Sequence, residues 1–153
     1  MGIFGYTKLA NDAMIYGGFS IPQVFAFKAI ELSEKTDIIR YRHYYLTGGY
    51  IIPFNSEGST MEISTWTKFV PNTNPNVDLN VRFNYENMFQ LGLGVNTNKS
   101  VALEASYTLG STNDYEVAGL WRIGYCYNMN LSPIANYMGS SHEVHLSVAF
   151  GGN

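Results

Sequence analysis

Hydrophobic and polar residues alternate along much of this chain with a period of two, the signature of strands with one apolar and one polar face. The alternation is unbroken from Val77 to Glu86. Val77, Leu79, Val81, Phe83 and Tyr85 point one way, and Asp78, Asn80, Arg82, Asn84 and Glu86 the other. It returns in Phe89, Leu91, Leu93 and Val95, set against Gln90, Gly92, Gly94 and Asn96. It returns again in Val101, Leu103, Ala105, Tyr107 and Leu109, and near the end in Val144, Leu146, Val148 and Phe150.

Turn chemistry separates these runs. Glu86-Asn87 reads as a tight hairpin. The segments 55–58, 71–76, 96–100 and 110–114 are rich in Asn, Ser, Thr, Pro and Gly, as chain reversals should be. Between them the pattern predicts about eight antiparallel strands, over 14–20, 41–52, 60–69, 77–86, 88–96, 101–109, 117–128 and 142–150. One long connection, 23–40, carries six charges (Lys28, Glu31, Glu34, Lys35, Asp37 and Arg40) and predicts a helical turn around Ala29 to Lys35. A second loop, 129–141, holds Pro133 and Gly139.

The chain has 153 residues, a length for one domain, and no boundary divides it. Composition narrows the solvent in which the strands sit. Hydrophobic residues make up 46%, yet charged residues only 14%, against about 25% in an ordinary soluble domain, and aromatics reach 15%. The net charge of −3 argues against a nucleic-acid partner, which calls for a basic patch. The single cysteine, Cys126, excludes an intrachain disulfide framework or a Cys-cluster zinc site. No stretch nears the roughly 18 consecutive apolar residues of a membrane-spanning helix. Met1 to Tyr6 lack the basic start and apolar block of a signal peptide, so the expectation is a cytoplasmic protein or a chain that begins part-way through a longer one.

Alternation alone allows a soluble barrel with its apolar face inward or a membrane barrel with that face outward. The polar phase decides in favour of the second. It is mostly Asn, Ser, Thr, Gln and Gly, with scattered charges (Glu62, Lys68, Asp78, Arg82, Glu104, Arg122 and Glu143), which suits a hydrogen-bonded lumen better than a surface in bulk water. A strand of about 10 residues at roughly 3.3 Å each, tilted about 40°, covers close to 25 Å, the height of the apolar band on an outer-membrane barrel. Phe69, Tyr85, Phe89, Tyr107 and Phe150 collect near strand ends, as headgroup-level girdles do. The predicted fold is therefore an all-β, antiparallel transmembrane β-barrel of outer-membrane type.

Residues 120–150 read LWRIGYCYNMNLSPIANYMGSSHEVHLSVAF. This resembles the carboxyl end of the PorP/SprF family, outer-membrane components of the type IX secretion and gliding machinery of Bacteroidetes. The residues that carry the likeness are Gly124, Tyr125, Tyr127, Ser141, His142, Glu143, Val144 and Leu146. Upstream, Tyr16 to Gln23, Arg42 to Tyr50 and Phe89 to Gly94 resemble further family segments, in the family's order. Asn128 and Cys126 depart from it, standing where members often have Asp and Ser. Family members carry a signal peptide and earlier strands, so the likeness implies roughly the carboxyl half of such a protein, alone or as part of a larger barrel. It also implies a non-enzymatic role without a cofactor, helping to secrete, retain or display cargo at the cell surface. The implied partners are outer-membrane lipid, the carboxy-terminal domains of secreted cargo and the periplasmic lipoprotein ring. The competing expectations are a small stand-alone barrel acting as a pore or adhesin, and a soluble lipocalin-like carrier with its faces inverted.

His142-Glu143-Val144-His145 invites a metal reading, but on a strand only Glu143 and His145 share a face. Two ligands are too few for zinc. A hydrogen-bonded pair in the lumen, with His142 tied to loop closure, is the better expectation. Asp78, Arg82, Glu104, Arg122, Glu143 and His145 are expected to face the lumen, as a salt-bridged plug or as a surface for a passenger polypeptide. Gly92 and Gly94 are expected to ease strand curvature. Cys126 is expected to be a small packing residue, and Phe150 a lipid-facing or terminal recognition aromatic.

Overall fold

The computed structural model describes residues 1–22, 28–29, 38–39, 42–54, 58–109, 120–131 and 139–149. Nine strands form one antiparallel sheet in the order β1 (Gly2–Lys8), β2 (Met14–Ser20), β5 (Tyr44–Pro53), β6 (Thr60–Phe69), β7 (Asn76–Tyr85), β8 (Phe89–Asn96), β9 (Ser100–Leu109), β10 (Leu120–Asn130) and β11 (Ser141–Ala149). Two short strands, β3 (Lys28–Ala29) and β4 (Ile38–Ile39), pair with each other between β2 and β5. Each strand of the large sheet pairs with its successor there, a pure up-and-down meander. Nine is an odd number, so β1 and β11 run in the same direction, and the sheet is not closed.

The structure adds β1 to the eight predicted strands. In Gly2-Ile3-Phe4-Gly5-Tyr6 apolar residues fall in both phases, so no alternation marks the segment. Ala29 lies in β3 rather than in the predicted helical turn, and no helix occurs among the described residues. Residues 30–35, the reversal 110–114, the start of the predicted strand at 117–119 and Phe150 lie outside the described residues.

Short turns hold the registers. At Tyr85–Met88 the Met88 amide donates to the Tyr85 carbonyl at 2.9 Å, and Glu86 and Asn87 have φ of 48° and 57°. Both central residues are therefore left-handed, the type I′ geometry that matches strand twist. At Asn96–Lys99 the Lys99 amide donates to the Asn96 carbonyl at 3.0 Å, and Lys99 closes the turn at φ 62°. Leu9–Asp12 repeats that plan, with Asp12 at φ 62°.

These registers sort every strand side chain onto one of two faces. One face holds Ile15, Phe19, Leu46, Ile63, Leu79, Val81, Phe83, Leu91, Leu93, Leu103, Ile123 and Val144, and no strand position on it is Asp, Glu, Lys or Arg. The opposite face holds all the charged strand residues of the large sheet: Lys8, Glu62, Lys68, Asp78, Arg82, Glu104, Arg122 and Glu143.

Among the described residues no element packs on the apolar face. Leu79 is 48%, Leu91 55% and Leu103 47% exposed, and Ala13 is the one buried apolar residue among those described. A soluble domain of this size hides such residues, because each is worth roughly 1.5–3 kcal/mol when removed from water. The polar face is the more occluded one: Gln90 and Ser106 are buried on it. Aromatics row up at both ends of the apolar face. Tyr85, Phe89 and Tyr107 lie side by side across three strands, the last two with ring centroids 5.2 Å apart. At the other end Phe19 stacks on Tyr44, which pairs with Phe69.

Candidate functional site: the polar face and its charged network

Arg82 is the hub of the polar face. Its guanidinium reaches Glu62 on β6 at 3.3 Å and Glu104 on β9 at 3.2 Å, so one cation lies between two carboxylates. Gln90 Nε2 donates to the second oxygen of Glu104 at 3.4 Å. Arg122 donates to Gln90 Oε1 at 3.3 Å and to Thr108 Oγ1 at 3.0 Å. On the far side the Tyr16 hydroxyl donates to Glu62 Oε1. A continuous polar chain thus crosses from β2 to β10: Arg82 is paired with two carboxylates, as a charge withdrawn from water must be, and Arg122 is held by the neutral Gln90 and Thr108.

Two glycines make the reach possible, and a third lies under His145. Tyr16 crosses β5 over Gly49, where an added Cβ would lie 2.3 Å from the tyrosine ring. Arg82 and Glu104 face each other across Gly92, where a Cβ would meet the Glu104 carboxylate at 3.2 Å. His145 lies over Gly124, with 2.0 Å from a built Cβ to its ring. A side chain at Gly49 or Gly92 would drive apart partners that sit on non-adjacent strands, and one at Gly124 would displace His145.

The predicted site residues fall into three groups. Arg82, Glu104 and Arg122 join in the network. Asp78 shares the face but sits apart, hydrogen-bonded to the Asn96 amide. Glu143 and His145 share it too, but they do not form the expected pair: Glu143 accepts from Asn128 Nδ2 at 2.9 Å, and His145 covers Gly124. The strand register sets Glu143 opposite Cys126, from where it reaches diagonally to Asn128, and sets His145 directly opposite Gly124.

Tyr125, Tyr127 and His142 project from the other, apolar face. The His142 ring lies tilted against Tyr127 with centroids 4.9 Å apart, and its Nδ1 meets the Tyr125 hydroxyl. Sequence reasoning missed Tyr16, Gln90 and Thr108 as network members. The available signal was a set of polar-phase residues beside strand glycines, which becomes readable only once the registers are known. Among the described residues no three His, Cys, Asp or Glu side chains assemble as a metal site. Nor is any described helix long and apolar enough to cross a membrane, which leaves spanning by strands untouched.

At the end of β1, Lys8 Nζ meets Asp12 Oδ1 in the following turn at 2.7 Å. The hydrogen bond from Lys8, and then its charge, hold the Asp12 carboxyl below the usual carboxylate range.

An uncharged, uncovered apolar face with aromatic rows at both ends, backed by a cross-linked polar face, defines a membrane-type β-sheet of the kind that builds transmembrane barrels. The family of the type IX secretion system membrane protein PorP/SprF matches residues 2–148, and the chain belongs to that family. It is a family of secretion-system membrane proteins, not of enzymes. No match is found among curated proteins or among solved structures.

Proposed function

We propose that the protein is a non-enzymatic outer-membrane barrel component of the type IX secretion machinery. In this role it helps to secrete, retain or display cargo proteins at the cell surface. The observation that supports this best is the apolar face without a single Asp, Glu, Lys or Arg, in a chain matched to the secretion-system family over residues 2–148. That face meets lipid, and the polar face with Asp78, Arg82, Glu104, Arg122, Glu143 and His145 lines the interior. Arg82 held between two carboxylates cross-links three strands of the wall, which stiffens it. Function then lies in binding: connecting loops and rim contact the carboxy-terminal domains of cargo on one side and the periplasmic lipoprotein ring on the other. A soluble carrier with inverted faces is disfavoured by the same exposed leucines.

Deletion of the gene, followed by surface proteomics of the host, tests the proposal. Proteins bearing type IX carboxy-terminal domains are expected to fall at the surface and accumulate in the periplasm, with recovery on complementation. An unchanged surface proteome would overturn the secretory role.

A further inference from the structure

The large sheet ends on β1 and β11, and both edges are regular strands. Their registers run unbroken from Gly2 to Lys8 and from Ser141 to Ala149, with no bulge and no proline, and Lys8 is the one lysine of the two. Edges meant to stay free are normally blunted by such devices. The Met1 amine donates to the Ile21 carbonyl at 2.9 Å, and the Ile21 amide donates to the Met1 carbonyl at 2.7 Å. Bonded positions alternate along a ladder, so Gly2, Phe4, Tyr6 and Lys8 turn their N–H and C=O away from β2. The Thr108 amide bonds the Met88 carbonyl at 2.7 Å, and the same alternation turns His142, Val144, Leu146 and Val148 away from β10. Among the described residues no strand meets either set. In the hydrocarbon region of a bilayer backbone groups like these must be paired.

The registers disfavour closure by this chain alone. The row of cross-strand partners that starts at Lys8 ends at Glu143, and the row through Tyr6 ends at Ser141. A nine-stranded barrel with strands tilted about 35–45° needs a shear of about 9–13 residues. With a shear of about ten, only Gly2 to Phe4 would lie beside Ser147 to Ala149, which leaves most of both edges unpaired. A second copy does no better. Copies in one membrane orientation are related by an axis along the barrel, which preserves strand direction. Since β1 and β11 run the same way, the β11 of one copy would meet the β1 of the next in parallel, whereas these barrels are antiparallel.

We infer that the two edges are docking surfaces for an odd number of antiparallel β-strands contributed by polypeptide other than residues 1–153. The strand at one edge bonds Gly2, Phe4, Tyr6 and Lys8, and the strand at the other bonds His142, Val144, Leu146 and Val148. Each carries apolar residues toward lipid and polar residues toward the interior. The inference rests on the apolar face meeting lipid, and it adds the parity, direction and bonding positions of whatever completes the wall.

Photo-crosslinking in membranes of the host tests it, with p-azidophenylalanine at Phe4 or Tyr6 in β1 and at Val144 or Leu146 in β11. Joined peptides are identified by mass spectrometry, and heat-modifiable gel mobility checks folding of each labelled protein. A label at Leu91, flanked by β7 and β9, is expected to join those two strands alone. Both edges are expected to join peptides outside residues 1–153 that alternate apolar and polar positions. Moving the label from Phe4 to Tyr6 should move the attachment backwards along the partner by about two residues, as antiparallel pairing requires. Attachment of β1 to β11, within one chain or between two differently tagged copies, overturns the inference. So does forward movement of the attachment, or the absence of a peptide product at either edge. Should labels at Phe4 and Tyr6 prevent folding, Ile3 and Thr7 decide by the same readout. Release of the protein from membranes by alkaline carbonate without detergent would instead refute the lipid-facing assignment, a failure separable from a wrong partner at the edges.

Discussion

Val81 sits near the middle of β7, between Ile63 on one neighbouring strand and Leu93 on the other, and is 39% exposed. Three substitutions in this hairpin distinguish lipid contact from burial in a protein core. Val81→Arg places a cation on the lipid face near the bilayer midplane, at a cost of about 2–4 kcal/mol. At about 1.4 kcal/mol per decade this is roughly a 30- to 1000-fold fall in the folded-to-unfolded ratio. With a urea dependence of about 2 kcal/mol per molar, the midpoint drops by about 1–2 M. Val81→Phe, by contrast, is tolerated, because lipid chains yield to a larger side chain whereas a close-packed core loses about 1–3 kcal/mol to overpacking. Asn80→Arg points to the polar face beside Asp78 and above Gly94, and shifts stability by no more than about 0.5 kcal/mol. The assay is urea unfolding from phosphatidylcholine vesicles followed by tryptophan fluorescence. If Val81→Phe is as damaging as Val81→Arg, the apolar face is a packed core. If Asn80→Arg is the most damaging, the faces are reversed.

Other outcomes follow from the polar network and the turns. Arg82→Met leaves Glu62 and Glu104 facing each other without a cation. Their side chains are 20% and 24% exposed and that of Arg82 is 36%, so solvent screening reduces the loss from the value for full burial to about 1–3 kcal/mol. Glu62→Gln/Glu104→Gln in the same background should restore most of it, as read from urea midpoints. Gly49→Ala forces Tyr16 out of its path to Glu62, and a double-mutant cycle with Tyr16→Ala should show coupling of about 1 kcal/mol or more. The Asp12 carboxyl, held below its ordinary range by Lys8, stabilises the folded turn at pH values above that range, and the contribution is lost as pH falls through its lowered value. Lys8→Met should bring the Asp12 titration, followed by NMR, back up to the ordinary carboxylate range.

Strands β7 and β8 were legible because one phase of each is apolar without exception. Val77 to Tyr85 and Phe89 to Val95 could be assigned to faces before any coordinates, and the structure keeps those faces. Strand β1 was not legible, for the same reason in reverse: it carries Ile3 and Phe4 in opposite phases, so periodicity had nothing to grip. The charged residues were visible one by one, but their partners depend on register. Arg82 meets Glu104 only because Gly92 lies between them, and Tyr16 meets Glu62 only across Gly49. Gly92, read from sequence as an aid to curvature, also makes room for an ion pair. His142 and Glu143 were rightly set on opposite faces by strand geometry, yet their partners, Tyr125 and Asn128, needed the β10–β11 pairing to be known.

The two tryptophans give the most direct test of which face meets lipid. Trp121 lies on the apolar face, whereas Trp66 lies on the polar one, stacked 5.1 Å from Tyr45. In vesicles of brominated phosphatidylcholine, the Trp66→Phe protein, which retains Trp121, should lose most of its fluorescence, and the Trp121→Phe protein, which retains Trp66, should keep it. Strong quenching of Trp66 with Trp121 spared would contradict the membrane-facing assignment on which the functional reading stands.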